Sequence, residues 1–143
     1  MALANVLLVD DEVPFVETIT KRLTKRNLDI VAAYSGDEAL EKLKEHQNVE
    51  VVILDVKMPG KDGIETLTEI KKRHPLKEVI MLTGHATVET AIEGMKQGAY
   101  DYLMKPCDID LLVEKVTEAA AKKRRHEEKI LEAQIKEITM RRI

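Results

Sequence analysis

Short runs of apolar residues recur along the chain and alternate with segments of helical character. The runs are NVLLVD at 5–10, DIVAAY at 29–34, EVVILD at 50–55, EVIMLT at 78–83 and YDYLMK at 100–105. They are continuously apolar rather than alternating, which is typical of strands buried on both faces of a sheet. The pattern therefore predicts five buried strands.

The segments between these runs begin with residues that commonly start helices. These residues are Glu12 with Pro14, Ser35 with Glu38, Asp62 with Glu65, and Asp108, while Gly98 ends the fourth segment. Apolar residues follow at helical spacing: Phe15, Val16, Ile19 and Leu23; Ala39, Leu40 and Leu43; Ile64, Leu67 and Ile70; Val88, Ala91, Ile92 and Met95; Leu112, Val113 and Val116. Each segment therefore predicts a helix.

Five alternations of strand and helix predict an α/β fold, a (βα)5 arrangement with right-handed crossovers. A closed eight-fold barrel needs nearly twice this length. We therefore expect an open, doubly wound, five-stranded parallel sheet with helices on both faces, in the flavodoxin-like strand order 2-1-3-4-5. In that order the first and third strands are neighbours, and ligands bind beyond their carboxyl ends.

Composition narrows the class of protein. The chain has 143 residues, of which 44% are hydrophobic and 34% charged, so it suits one folded domain. The aromatic fraction of 3% and the lack of Trp argue against stacking on nucleic-acid bases. The single Cys107 favours a reducing compartment. Because the apolar opening from Val6 to Val9 is too short for a signal peptide or membrane span, we expect a cytoplasmic protein without membrane contact.

Charge divides the chain into two parts. Residues 122–143 carry eight basic and four acidic residues, a net +4, so that with −3 for the whole chain residues 1–121 carry −7. We predict a globular domain at 1–121 and a charged helical extension of the fifth helix at 122–143, as a linker or dimerisation segment. The KKRR run beside EE favours a solvated helix face, and no direct nucleic-acid binding is expected from it.

An apolar stripe returns near the end of the extension. It consists of Ile130, Leu131, Ile135 and Ile138. A stripe this short needs a partner, either a second copy of the chain in a coiled coil or a following module.

Chemistry-bearing residues stand where the predicted strands end. Asp10 and Asp11 follow the first strand, Asp55 the third, Thr83 the fourth and Lys105 the fifth. Taken alone, Asp10 and Asp11 could simply be turn and helix-capping residues. However, the carboxyl ends of parallel strands share one edge of the sheet, so all five side chains are expected to converge on one crevice.

Carboxylates brought this close repel each other, and a divalent cation removes the difficulty. Oxygen ligands favour Mg²⁺, with Mn²⁺ or Ca²⁺ as substitutes. Lys105 adds a positive charge and Thr83 a hydroxyl, which together suit a phosphoryl group. We infer that Asp55 is a nucleophile that accepts phosphate as an acyl phosphate.

At this point the sequence resembles a known family. VLLVDDE, VVILDVKMPGKDG, VIMLTG and DYLMKP resemble the motifs of response-regulator receiver domains (the CheY-like superfamily) of two-component signalling, across residues 3 to about 121. In combination and in this order they are highly specific. The resemblance implies Asp55 as the phosphoacceptor, Asp11 as a direct Mg²⁺ ligand, Asp10 acting largely through a metal-bound water, and the backbone carbonyl of Lys57 completing the metal site.

The resemblance also implies roles around the phosphate. Lys105 and Thr83 would contact the phosphoryl oxygens, and the bond from Lys105 to its following proline would be cis. Tyr102 matches an aromatic residue that turns inward when Thr83 moves, although packing alone would also explain a half-buried tyrosine. Lys57 and His85 match positions that modulate the lifetime of the phosphate.

The leading hypothesis is a phosphorylation-controlled binding module rather than an enzyme. The implied donor is a sensor histidine kinase, a phosphotransfer protein or a small acyl phosphate. Phosphorylation would reshape the face made by the fourth helix, fifth strand and fifth helix. The implied partners are a downstream effector, a fused output domain, or a second copy bound through that face or the C-terminal helix.

Two other functions compete with this hypothesis. The first is a metal-dependent aspartyl-phosphate phosphatase or phosphotransferase acting on an external substrate. Those enzymes place the nucleophile on the first strand in a D-x-D pattern, whereas here the lone Asp55 stands on the third. The other is a purely structural Mg²⁺ site without chemistry.

Overall fold

The structure, a computed structural model, describes residues 2–85 and 87–141, in which strands and helices alternate. The strands are β1 (Ala4–Val9), β2 (Leu28–Ala33), β3 (Val51–Leu54), β4 (Glu78–Thr83) and β5 (Asp101–Met104). The helices are α1 (Val13–Lys25), α2 (Gly36–Glu45), α3 (Gly63–Arg73), α4 (Val88–Lys96) and α5 (Ile109–Arg141). The predicted alternation is confirmed.

All strand pairs are parallel and the sheet has the order β2-β1-β3-β4-β5, which confirms the predicted fold. β1 and β3 are neighbours, and Val9 is in register with Leu54 at their carboxyl ends. Asp10, Asp55 and Lys105 each lie one residue beyond the strand that they were predicted to end, whereas Thr83 is the last residue of β4. The carboxyl edge of the sheet therefore carries the predicted side chains.

The core has two layers because successive strand residues point to opposite faces of the sheet. On one face, Leu7, Val9, Val52, Leu54, Val79 and Met81 pack with Ala39, Leu40, Leu43, Leu67 and Ile70. On the other, Val6, Leu8, Val51, Ile53, Ile80 and Leu82 pack with Val16, Ile19, Leu23, Leu112 and Val116. Each such side chain contributes about 1.5–3 kcal/mol on burial, so the two layers hold the sheet rigidly.

Three of the four predicted helix starts are present as side-chain caps, whereas Glu12, at the start of α1, makes no side-chain capping hydrogen bond. Ser35 accepts a hydrogen bond from the amide of Glu38 at 3.1 Å, and Asp62 accepts one from the amide of Glu65 at 2.8 Å. Asp108 accepts one from the amide two residues on, at 3.0 Å. These bonds satisfy amides that the first turn of a helix leaves free.

The apolar stripe of α4 does not lie in the core, contrary to the helical pattern. Val88, Ile92 and Met95 are 77%, 51% and 47% exposed. The helix approaches the sheet through Gly94, where an added Cβ would lie 3.4 Å from the ring of Tyr102. Close packing through a glycine thus turns the larger apolar side chains toward solvent.

The fifth helix runs without interruption from Ile109 to Arg141, so no break marks the predicted boundary after residue 121. That division stays a prediction, and residues 142 and 143 of the predicted extension lie outside the described residues. Within the described ranges, no helix combines the length and apolarity needed to cross a membrane.

The first turn of the extension is fixed to the amino edge of the sheet. Arg124 binds the buried carboxylate of Glu50 through Nε at 2.6 Å and Nη2 at 2.8 Å. It also donates to the carbonyl of Leu3 at 3.0 Å. Lys122 lies 3.0 Å from the buried carboxylate of Glu78. These ion pairs set the direction in which α5 leaves the domain.

We expect Arg124→Ala to lower the free energy of unfolding by roughly 1–2 kcal/mol at pH 7, since it leaves a buried carboxylate without its guanidinium. Arg125 is exposed on the same helix and has no ion pair among the described residues, so Arg125→Ala is the matched control. It should change stability by less than about 0.5 kcal/mol. Urea denaturation of both variants measures the difference.

The effect of Arg124→Ala also depends on pH in a defined direction. Burial alone would raise the pKa of Glu50, but the hydrogen bonds from Arg124 and the Asn5 amide outweigh it and hold the pKa below its ordinary value of 4.5. A lowered pKa stabilises the fold above that value, and the stabilisation is lost as the pH falls through the folded-state pKa. The loss of stability in Arg124→Ala should therefore become smaller as the pH falls below 4.5. A deficit that stays constant down to pH 3 would contradict this account.

Candidate functional site

The carboxyl edges of β1 and β3 place two aspartates side by side. The amide of Asp55 donates to the carbonyl of Val9 at 3.1 Å, which extends the pairing of the two strands by one residue. Asp10 follows Val9 directly and is 1% exposed, and Asp55 is 2% exposed. Asp11 continues into the turn before α1 and is exposed. The parallel ladder therefore brings these carboxylates together.

These three aspartates form a cluster that could hold a metal ion. Each offers one carboxylate oxygen, and the three oxygens lie within 4.8 Å of one another. The Oδ1 atom of Asp55 is buried and has no hydrogen-bond partner among the described residues. An unsatisfied buried carboxylate oxygen is costly, and a bound cation or an added group would relieve that cost. The donor set therefore fits a hard cation.

Lys105 lies at the centre of the site. Its Nζ donates to Asp10 Oδ2 at 2.6 Å and lies 3.6 Å from Glu12 and 3.8 Å from Asp55 Oδ2. Burial lowers the pKa of Lys105, but the hydrogen bond and the negative charge of Asp10 outweigh it, so the pKa lies above its ordinary value. The ammonium is therefore firmly charged.

The negative charge of Asp10 is only partly compensated by its neighbours. Burial raises the pKa of Asp10, and the charge of Asp55 raises it further. The hydrogen bonds from Lys105 and from the Glu12 amide, at 2.9 Å, oppose the increase without cancelling it. One ammonium therefore does not fully compensate the carboxylates, which leaves room for additional positive charge.

Thr83 and Tyr102 lie on neighbouring strands, but their side chains have different partners. Thr83 is fully buried, and its hydroxyl oxygen accepts a hydrogen bond from the amide of His85 at 3.0 Å. The hydroxyl of Tyr102 instead pairs with Thr90 of α4 at 2.9 Å. The ring is partly buried against the core layer that includes Met81. Tyr102 thus joins β5 to α4.

Lys57 and His85 are exposed and stand at the mouth of the site. They line a cavity of about 390 Å³ together with Asp11, Glu12, Asp55, Met58 and Pro59. The cavity reaches the Asp55 carboxylate from solvent, so a small group can approach it there.

Three contributors were missed by the sequence analysis. Glu12 lies beside Lys105, and the Phe15 ring lies under its ammonium, with 4.0 Å between Nζ and the ring centroid. At Gly63 an added Cβ would lie 2.0 Å from the carbonyl oxygen of Asp55, so only glycine lets α3 start against this turn. The GKDG motif contained a signal for Gly63, whereas the other two contacts depend on tertiary structure.

Comparison with known proteins agrees with this geometry. The family model described as "Response regulator receiver domain" matches residues 6–117. A solved structure of a response regulator receiver domain protein from Clostridium thermocellum superimposes with a TM-score of 0.81 at 37% identity. The match covers 85% of this chain and 97% of that one.

Curated relatives include longer proteins. The transcriptional regulatory protein ZraR of Salmonella typhimurium is 39% identical over 117 residues, which are 82% of this chain and 26% of that protein. The DNA-binding transcriptional regulator NtrC of Klebsiella pneumoniae is 38% identical over 112 residues, 78% of this chain and 24% of that protein. The chain thus spans about a quarter of the length of these relatives. By the family model, the fold and these similarities, the chain belongs to the response regulator receiver domains of two-component signalling.

Proposed function

We propose that Asp55 accepts a phosphoryl group from a phosphohistidine of a sensor histidine kinase or phosphotransfer protein, or from a small acyl phosphate. The observation that carries the proposal is the buried Oδ1 atom of Asp55, which has no hydrogen-bond partner among the described residues. The other oxygen of the same carboxylate, Oδ2, lies 3.8 Å from the Lys105 ammonium, and Asp55 lines a cavity open to solvent. A carboxylate with a free oxygen and access from solvent is positioned to form a bond with an incoming phosphoryl group.

The chemistry is a displacement at phosphorus. A carboxylate oxygen of Asp55 forms the new O–P bond as the bond from phosphorus to the donor's imidazole nitrogen or acyl oxygen breaks, and the leaving group keeps that electron pair. Lys105, 3.8 Å from Asp55, is placed to stabilise the charge on the phosphoryl oxygens. The hydroxyl hydrogen of Thr83 has no acceptor among the described residues, so it is available for another of these oxygens.

We propose Mg²⁺ as the cation of the site, held by Asp10, Asp11, Asp55 and the backbone carbonyl of Lys57; Mn²⁺ or Ca²⁺ could substitute. The oxygen-only donor set and the raised pKa of Asp10 support a hard divalent ion. When bound, it supplies positive charge that offsets the carboxylates and the incoming phosphoryl group. The exposed side chains of Lys57 and His85 at the cavity mouth modulate access of water to the acyl phosphate.

The structural effect of the charge added by the phosphoryl group is transmitted through α4 and β5. Movement of Thr83 toward the phosphoryl group changes the space beside Tyr102, whose hydrogen bond to Thr90 joins β5 to α4. A shift between two pre-existing forms is sufficient for switching. The face that changes carries five exposed apolar side chains, Val88, Ile92, Met95, Met104 and Leu111. Such a patch is suited to a protein partner.

The output is binding rather than turnover of an external substrate. Because the named relatives are transcriptional regulators, we propose that the partner is a transcription-regulating effector or a fused output domain. We also propose that two copies of the chain bind each other, either through the α4–β5–α5 face or through the extension. Four side chains of the extension support it, since Ile130, Leu131, Ile135 and Ile138 are 46% to 56% exposed.

Phosphorylation is tested by incubating the protein with Mg²⁺ and acetyl phosphate and measuring its intact mass. We expect one alkali-labile phosphoryl adduct, lost in Asp55→Asn and on chelation of the metal. The exposed Asp29, at the far edge of the sheet, provides the control, and Asp29→Asn should keep the adduct. Turnover of a phosphorylated substrate without an adduct would instead indicate a phosphatase.

Metal binding is tested by thermal unfolding at pH 7. Because the pKa of Asp10 is raised, its ionised form destabilises the fold, and Asp10→Asn should stabilise the metal-free protein and raise its melting temperature. Mg²⁺ at about 100 times its dissociation constant should stabilise the unsubstituted protein by ~2.7 kcal/mol and the variant by much less.

The gain from Asp10→Asn has a pH dependence with a defined sign. A raised folded-state pKa means that the cost of ionising Asp10 is present at neutral pH and fades as the pH falls toward the ordinary value of 3.8. The variant's advantage should therefore shrink on acidification. An advantage that grows on acidification would contradict the assignment.

Pairing through the extension is tested by sedimentation equilibrium. The triple variant Leu131→Gln, Ile135→Gln and Ile138→Gln should lose a concentration-dependent dimer that the unsubstituted chain forms. Lys136→Gln changes an exposed charged residue of the same helix and should keep the dimer. Equal monomeric masses for all three proteins would remove the extension as a dimer contact.

A further inference from the structure

The aromatic ring of Phe15 contacts Lys105, the central lysine of the site. Phe15 is the sole phenylalanine in the chain and lies in the first turn of α1. The Nζ atom of Lys105 lies 4.0 Å from the centroid of its ring. The ring is half-buried against the core layer on the α1 and α5 face of the sheet. An ammonium over a ring face at this distance is within cation–π range.

Among the described residues, the other partners of the Lys105 ammonium are carboxylates. Asp10, Glu12 and Asp55 lie 2.6, 3.6 and 3.8 Å from Nζ. The lysine side chain is 15% exposed, so water covers little of it. The ammonium thus lies between a negatively charged group of oxygens and an uncharged aromatic face.

We propose that Phe15 is a positioning residue that holds the ammonium of Lys105 in place for phosphoryl transfer to Asp55. This inference rests on the proposed function, in which Lys105 contacts the phosphoryl group. Phe15 touches neither the donor nor Asp55 in this role, and it acts only through the lysine.

The reason is that a bound cation and the Lys105 ammonium would compete for the same carboxylates. Asp10 and Asp55 are members of the oxygen cluster that fits a cation, and they are also the acidic partners of Lys105. Asp55 further loses charge from its carboxylate when it becomes an acyl phosphate. A cation and a phosphoryl group therefore weaken the ion pairs of Lys105, but neither takes its aromatic partner. The ring can keep the ammonium of Lys105 in the site while the other contacts of the ammonium change.

Simple core packing is the competing explanation, because Phe15 also contributes to an apolar layer. Fluorination separates the two explanations. Fluorine atoms on the ring withdraw electron density from its face and weaken a cation–π contact, while the shape of the ring is nearly kept. Because the chain has one Phe, biosynthetic incorporation of a fluorinated phenylalanine alters this position alone.

The experiment uses the full chain with Mg²⁺ and acetyl phosphate, which loses acetate as the O–P bond to Asp55 forms. The rate constant of adduct formation is measured for phenylalanine and its 4-fluoro, 3,5-difluoro and 3,4,5-trifluoro forms. We expect the logarithm of the rate constant to fall stepwise with each added fluorine. Phe15→Leu should lower the rate roughly tenfold, and Phe15→Tyr, which keeps an aromatic face, should stay within about twofold.

Two further readouts keep the outcome clear. The ε-methylene proton resonances of Lys105 should be shifted upfield by the ring in the unsubstituted protein and return toward ordinary positions in Phe15→Leu. Urea denaturation of each form shows that the fold is intact, so that a slow rate is assigned to the site.

Each result decides the inference. A stepwise fall with fluorination, together with the lost upfield shift, supports it. Rates that do not change with fluorination, while an adduct still forms on Asp55, overturn the role of Phe15 and leave the proposed function standing. Absence of any adduct in the unsubstituted protein overturns the proposed function and the role of Phe15 with it.

Discussion

The structure depends on the meeting of two buried carboxylates at the carboxyl ends of adjacent parallel strands. Asp10 and Asp55 are carried to this edge by the β1–β3 ladder, and each is almost fully removed from water. Like charges this close in a poorly hydrated place repel strongly, and the single ammonium of Lys105 offsets only part of the cost. The remaining demand for positive charge supports the proposal that this edge binds a cation and a phosphoryl group.

The amino edge of the sheet also holds buried carboxylates, but their negative charge is compensated by neighbouring cationic side chains. Glu50 is bound by both nitrogens of a guanidinium group, and Glu78 lies near the ammonium groups of Lys71 and Lys122. The pKa of Glu50 is lowered, whereas that of Asp10 is raised. Compensated carboxylates at the amino edge fix α5 to the domain, whereas those at the carboxyl edge are only partly compensated, in agreement with the reactive role proposed for Asp55. The same chemical group thus has a structural role at one edge and a proposed functional role at the other.

Much of this arrangement could be predicted from the sequence because it follows from local patterns. Continuous apolar runs indicate strands buried on both faces, and the alternation with helices restricts the topology, so the convergence of Asp10, Asp55 and Lys105 needs no tertiary detail. The orientation of α4 could not be predicted, because helical spacing defines an apolar face without saying where it points. Gly94 sets that orientation by packing on Tyr102. The contact between Phe15 and Lys105 joins residues 90 positions apart and depends on side-chain placement that no local pattern encodes.

The most direct test of the central claim is chemical trapping of the modified carboxylate. Borohydride reduces an aspartyl phosphate to homoserine, and tandem mass spectrometry of the digested protein locates that residue. After incubation with Mg²⁺ and acetyl phosphate, the account predicts homoserine at position 55 and at no other aspartate. Homoserine at position 10 or 11, or none at any position while the phosphate donor is consumed, would contradict it.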